Sequence, residues 1–300
     1  NDFALDFIAR HKASPFFLYY PMILTHNPFQ PTPDSPDWDP KAVGEGVNQD
    51  AKHFADMTAF MDKMIGRVDA KLAKRSARFT QFSLAATQMA LQDAALDLAR
   101  EDPTRIGLEI GSAVGAVDLI ESQTLILRDQ GARRLNPTTI PSIIINAASC
   151  QVAIAYGLKG PANSPAAACS TGIYALGQAM RLLQRGDVDV VIAGGTESCM
   201  SPVTVAAFAR LGALSRRNDE PERACRPFDA ERDGTVVGEG AAILIMETLE
   251  HALRRDAPIL GEVLGYGVTV DGYHMVAPDP TGDGAARAMR LALEEARLSP

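Results

Sequence analysis

Residues 163–198 read NSPAAACSTGIYALGQAMRLLQRGDVDVVIAGGTES, and the order of elements in this stretch decides the fold. Residues 163–168 suggest a short strand, which runs into Cys169, Ser170, Thr171 and Gly172. Ile173, Leu176, Met180 and Leu183 then recur at three- and four-residue steps, the spacing of one apolar face of a helix. Gly186 supplies a C-terminal stop. Val188 to Ala193 is a short apolar run, broken only by Asp189, that ends in Gly194 and Gly195. Such a run reads as a buried strand. Strand, helix and strand in this order are the unit of a layered α/β domain.

The same texture extends outward. Residues 80–100 read as a helix, with Phe82, Ala86, Met89 and Ala90 on its apolar side. Residues 105–110 read as a strand ending in a Gly-Ser-Ala-Val-Gly turn. Residues 241–246 and 259–264 suggest two more strands, and 283–297 a last helix. Toward the N-terminus, 3–11 reads as a short helix, 15–20 as an aromatic buried strand, 25–40 as a proline-rich loop and 52–74 as a helix. Composition changes near residue 74. Ten of the 18 aromatic residues, but only three of the 24 glycines, precede residue 75. A seam between two units is expected there.

Bulk composition excludes several classes. A net charge of −8 and a pI of about 5.2 argue against a nucleic-acid footprint. No apolar run approaches the roughly 20 residues that span a bilayer. The four cysteines show neither disulfide-like nor metal-like spacing, which suits a reducing, cytoplasmic compartment. The first residue is Asn1 rather than Met, so the chain is expected to begin inside a longer one or after a removed leader.

Cys169 is the residue that chemistry would use. A helix N-terminus carries free N–H groups and about half a positive charge. Both favour a thiolate, and the same N–H groups can bind an oxyanion. Local pattern leaves two readings open: a nucleophile for acyl transfer, or a buried structural thiol. Cys150, Cys199 and Cys225 have no activating neighbour in the sequence. His274, in Asp-Gly-Tyr-His, reads locally as a loop histidine.

Resemblance narrows these readings. Residues 157–198, 213–259 (ALSRRNDEPERACRPFDAERDGTVVGEGAAILIMETLEHALRRDAPI) and 265–289 (GYGVTVDGYHMVAPDPTGDGAARAM) resemble the β-ketoacyl-acyl-carrier-protein synthases. The likeness is to the type II elongating enzyme of fatty-acid synthesis. It implies an incomplete thiolase-like layered αβαβα fold over 75–300, lacking its first strand and most of its C-terminal half. The first strand is expected near the middle of the sheet, so its loss should leave a gap. The implied reaction is a decarboxylating Claisen condensation without a cofactor, whether in fatty-acid or polyketide elongation. Cys169 matches the acylated nucleophile, and His274 the first of two catalytic histidines. Phe208 matches a position lining the acyl tunnel. Glu197, Arg226 and Asp229 read as ion-pair or turn residues. The implied partners are acyl-carrier protein, malonyl and acyl thioesters, and a second copy of the chain in a homodimer.

Residues 12–38 (KASPFFLYYPMILTHNPFQPTPDSPDW) and 53–72 (HFADMTAFMDKMIGRVDAKL) resemble instead the middle of a sulfatase of the alkaline-phosphatase-like superfamily. That likeness implies a short α/β fragment over 1–74, with His26 as a sulfate contact. The Cys-x-Pro/Ser-x-Arg signature is missing from the chain, and no metal-ligand cluster accompanies it. Three readings therefore stand: a ketosynthase, a fragment of a sulfuric ester hydrolase, and a non-catalytic chimera of the two. Since the family's second catalytic histidine and lysine lie beyond the matched motifs, the 300-residue chain alone is expected not to condense thioesters.

Overall fold

The computed structural model describes Ser35, Pro36, Lys63 and residues 76–299. The elements expected at 3–11, 15–20 and (Lys63 apart) 52–74, together with His26, lie outside the described residues.

The described part begins with helix α1, Arg78–Asp93. It buries Phe79, Phe82, Leu84 and Leu91. It stops seven residues short of the expected end because Ala95 takes a left-handed backbone, φ 49°. The Leu96 N–H then returns to Leu91 O and the Ala95 N–H to Gln92 O, which satisfies the last carbonyls. Asp97 and Asp102 next cap two short turns, each accepting a backbone N–H two residues on. Strand β1, Ile106–Gly111, follows, and all six of its residues are buried.

Helices α2 (Val117–Gln130), α3 (Thr139–Ile143) and α4 (Ala147–Tyr156) lead to a two-residue strand β2, Ala162–Asn163. Helix α5, Thr171–Gln184, and strand β3, Val190–Ser198, are the elements foreseen from 163–198. After α6 (Pro202–Leu211) come β4 (Glu239–Glu247), α7 (Leu249–Arg254) and α8 (Asp283–Ala296).

The sheet order is β2-β1-β3-β4. β1 is parallel to both β2 and β3, whereas β4 is antiparallel to β3. Successive strand residues face opposite ways, and the two apolar cores follow from that. Val190 and Ile192 of β3 join Ile106, Leu108 and Ile110 of β1 under α1 and α4. Val191 and Ala193 turn to the other face, against Leu176, Ala179 and Met180 of α5. The result is three layers, helix on sheet on helix.

Several expectations are corrected. The four described strands are hydrogen-bonded neighbours throughout, so this sheet has no central gap; its free edges, among the described residues, are β2 and β4. Gly194 and Gly195 do not end β3. A Cβ built at Gly194 would lie 2.0 Å from Ala242 O, so glycine here permits close approach to β4 and the strand runs on to Ser198. The strand expected at 163–168 is confined to Ala162–Asn163. The apolar run 259–264 forms no strand. A strand needs a partner edge, and the following residues lie instead on α8: a Cβ at Gly267 would sit 1.9 Å from Ala288 O. Helix α2 escaped the sequence reading because it buries no residue at all; α4 packs Ala147, Ala148 and Val152 into the core but is apolar on nearly every side, so its sequence shows no one-sided stripe.

Candidate active site

Two chain segments meet near the carboxyl ends of the parallel strands β1 and β3, where α/β sheets place ligands, and a third carries His274. The first is the turn before α5. Ala168 to Ser170 form one short helical turn, and Ala168 holds φ 47°, a left-handed value that a side-chain-bearing residue adopts at a cost of about 1–2 kcal/mol. Cys169 follows it and is exposed. Cys169 is therefore not a buried thiol. Local hydrogen bonds hold the turn. Ser170 Oγ donates to Ala167 O at 2.7 Å. Thr171 Oγ1 accepts the Ala167 N–H at 2.8 Å and donates to Ala168 O at 2.7 Å.

Glycines let this turn close on the sheet. A Cβ at Gly111, the last residue of β1, would lie 2.3 Å from Thr171 Cγ2, and one at Gly195 would lie 3.2 Å from Gly172 Cα. The first residues of α5 therefore rest directly on the ends of both strands.

The second segment is the turn after β1. Glu197, on β3, accepts the Ala113 N–H at 2.8 Å and the Ser112 hydroxyl at 3.2 Å. Ser112 Oγ in turn accepts the Gly115 N–H at 2.9 Å. Burial pushes the Glu197 carboxyl above its ordinary value, and these hydrogen bonds only partly offset that. Glu197 thus clamps a glycine turn, the structural role its context suggested. Arg226 and Asp229 are likewise local: Arg226 pairs with Glu231 at 3.4 Å, and Asp229 accepts the Glu231 N–H.

The third segment is the exposed loop 271–282 that carries His274. Its Nδ1 accepts the N–H groups of Val276 and Ala277 at 3.1 and 3.0 Å. With Nδ1 accepting, the ring proton of neutral His274 resides on Nε2, which is left as a donor. Asp271 closes the loop by accepting the Asp279 N–H at 2.9 Å. Thr269 donates to Gly284 O at 2.6 Å and Arg287 to Val270 O, which ties the loop to the start of α8. No hydrogen bond links Cys169 and His274. Sequence reading missed Thr171, Ser112 and Asp271. The available signal was a Ser/Thr/Asp beside a turn, a residue type that bonds its own backbone.

Phe208 lies on α6 and is 38% exposed. With Val203, Thr204, Ala207 and Leu211 it lines an open, apolar groove of about 400 Å³. The other thiols differ from Cys169. Cys150 is exposed on α4, whereas burial pushes the thiols of Cys199 and Cys225 up.

A mixed sheet between two helical layers, with an exposed thiol on the turn that starts α5, defines a layered α/β protein with a candidate site at that turn. Comparison with known proteins gives the family. The family model for the β-ketoacyl synthase N-terminal domain matches residues 26–252, and that for the C-terminal domain matches 260–300. The chain belongs to the β-ketoacyl synthase family. It is 46% identical over 245 residues to a Synechocystis 3-oxoacyl-[acyl-carrier-protein] synthase 2, covering 82% of this chain and 57% of that protein. The Staphylococcus aureus protein of the same name is 44% identical over 233 residues, 78% of this chain and 58% of its own. The chain thus spans a little over half the length of these relatives. Among solved structures, a β-ketoacyl synthase from Burkholderia phymatum aligns with a TM-score of 0.70 at 36% identity, over 77% of this chain and 57% of that one. A type II polyketide ketosynthase solved with its acyl-carrier protein and a bound hexaketide aligns at 0.69 and 35% identity, over 74% and 56%. No sulfatase is supported by these comparisons, and the family match reaches back to residue 26, inside the stretch read as sulfatase-like.

Proposed function

We propose that this chain carries the acyl-accepting part of a chain-elongating condensation. Cys169 Sγ attacks the thioester carbonyl of an acyl-carrier protein and releases the carrier thiol. A malonyl thioester then loses carbon dioxide, and its enolate attacks the acyl-enzyme. The exposure of Cys169 on a strained turn at the N-terminus of α5 carries this reading. Donors aimed at developing negative charge supply much of such a rate. His274 fits that task, because its Nδ1 is already engaged and its Nε2–H is left to donate to the enolate oxygen. Phe208 and its apolar groove suit an alkyl chain. The names of the relatives support the reaction class, and the carrier-protein complex of the polyketide neighbour supports the partner. A homodimer accords with the family. The ketosynthase unit is proposed to reach back beyond the expected seam near residue 75, since the family match begins at residue 26.

Acylation tests the reading. The full chain is incubated with an acyl-carrier-protein thioester and its mass measured. One acyl group should appear on Cys169 and vanish in Cys169→Ala. Acyl transfer to Cys150, or none at all, would overturn the assignment. With iodoacetamide, Cys169 should label ahead of Cys199 and Cys225, whose thiols burial pushes up.

A further inference from the structure

We infer that Thr171 is a positioning residue for Cys169: its hydroxyl holds the backbone turn that presents the thiol. This rests on the nucleophile reading of Cys169 and goes beyond it. Thr171 is 5% exposed, although it directly follows an exposed segment. Both functional atoms of its side chain are engaged. Oγ1 accepts from Ala167 N and donates to Ala168 O, so it bridges the N–H of the residue before the left-handed Ala168 and the carbonyl of Ala168 itself. Cγ2 occupies the space beside Gly111 that any larger residue at the end of β1 would fill. A non-glycine residue stays in the left-handed region only where its surroundings over-determine it. Here the Thr171 hydroxyl bonds the Ala168 carbonyl, which also accepts the Thr171 N–H, and the N–H of the residue before it. Without it, the Ala167 N–H loses its partner and Ala168 O keeps only a backbone one, the turn relaxes, and the presentation of Sγ changes.

Thr171→Val keeps the shape and removes the hydroxyl. Thr171→Ser keeps the hydroxyl and removes the methyl. In the full chain, alkylation of Cys169 by iodoacetamide should slow about tenfold in Thr171→Val and stay within about twofold of the parent in Thr171→Ser. Cys150, exposed on another helix, should label at the parental rate in both, and the half-buried Cys199 and Cys225 should stay as slow as in the parent, which reports intact folding. Equal Cys169 rates in Thr171→Val and the parent would overturn the inference. So would a tenfold loss in Thr171→Ser, which also decides the matter if Thr171→Val fails to fold. If instead the parent accepts no acyl group while the alkylation difference persists, the nucleophile reading fails and the positioning role stands.

Discussion

Ala95 and Ala168 share a left-handed backbone, with φ of 49° and 47°, yet their settings differ. Ala168 precedes Cys169, and the Thr171 hydroxyl bonds its carbonyl and the N–H of Ala167. Ala95 is exposed, closes α1 through backbone hydrogen bonds and offers its carbonyl to Arg255 at 3.2 Å, all with backbone atoms that any residue supplies. Glycine adopts this conformation without the clash that a Cβ brings. Ala95→Gly should therefore raise stability by about 1 kcal/mol, the lower end of the left-handed penalty. Urea unfolding of the two proteins measures it, and an unchanged or lowered midpoint would show that Ala95 carries no strain.

At the scale of elements, α8 illustrates how side chains place a loop. Glu295 pairs with Arg181 of α5 and accepts the Tyr266 N–H at 2.9 Å. Tyr266 packs on α5 where Gly177 leaves room; a Cβ there would lie 2.3 Å from its ring. These contacts hold the residues that precede the His274 loop, and Thr269 and Arg287 tie the loop itself to the start of α8. The hydrogen bond from Arg181 holds the Glu295 carboxyl at about 2, against an ordinary value of 4.5. A carboxyl lowered by folding stabilises above its unfolded value, and that contribution is lost as pH falls through the folded one. The parent should thus lose stability between pH 4.5 and about 2, and Glu295→Gln should lose less over the same interval. Parallel acid titrations followed by circular dichroism would show it; coincident curves would remove Glu295 from the acid response.

Across the whole molecule, one buried cluster ties together segments far apart in sequence. His251 is 3% exposed, with Nδ1 2.6 Å from Glu247 and Nε2 2.9 Å from Glu101. Arg255 bonds Glu247 and also donates to Ala94 O at the end of α1. Burial pushes the Glu247 carboxyl up, but hydrogen bonds from Arg255 and His251 outweigh it and hold the group below its ordinary value. The cluster joins the end of β4, helix α7, the end of α1 and the connection into β1, on the opposite side of the sheet from Cys169. Removing one member of a buried charged group costs about 3–5 kcal/mol. Glu247→Ala should lower global stability by that amount and leave the alkylation rate of Cys169 in the folded chain unchanged. A loss below 1 kcal/mol in urea unfolding would show the cluster to be peripheral.

The amino-acid sequence by itself determined the α/β class, the α5–β3 unit and the identity of Cys169 as the residue to test. These follow from periodicity and from the chemistry of a thiol at a helix start, both of which are local. His274 and Phe208 came only from family likeness, since a loop histidine and a helical phenylalanine have no local signature. Tertiary structure decided the rest. It extended β3 through two glycines because β4 approaches them closely, and it denied residues 259–264 a strand because none of the described strands pairs with them. It also brought Thr171 against Gly111, 60 residues earlier in the chain. Pairing edges and side-chain spacing between distant segments are properties of the packed molecule, and no pattern within one segment encodes them.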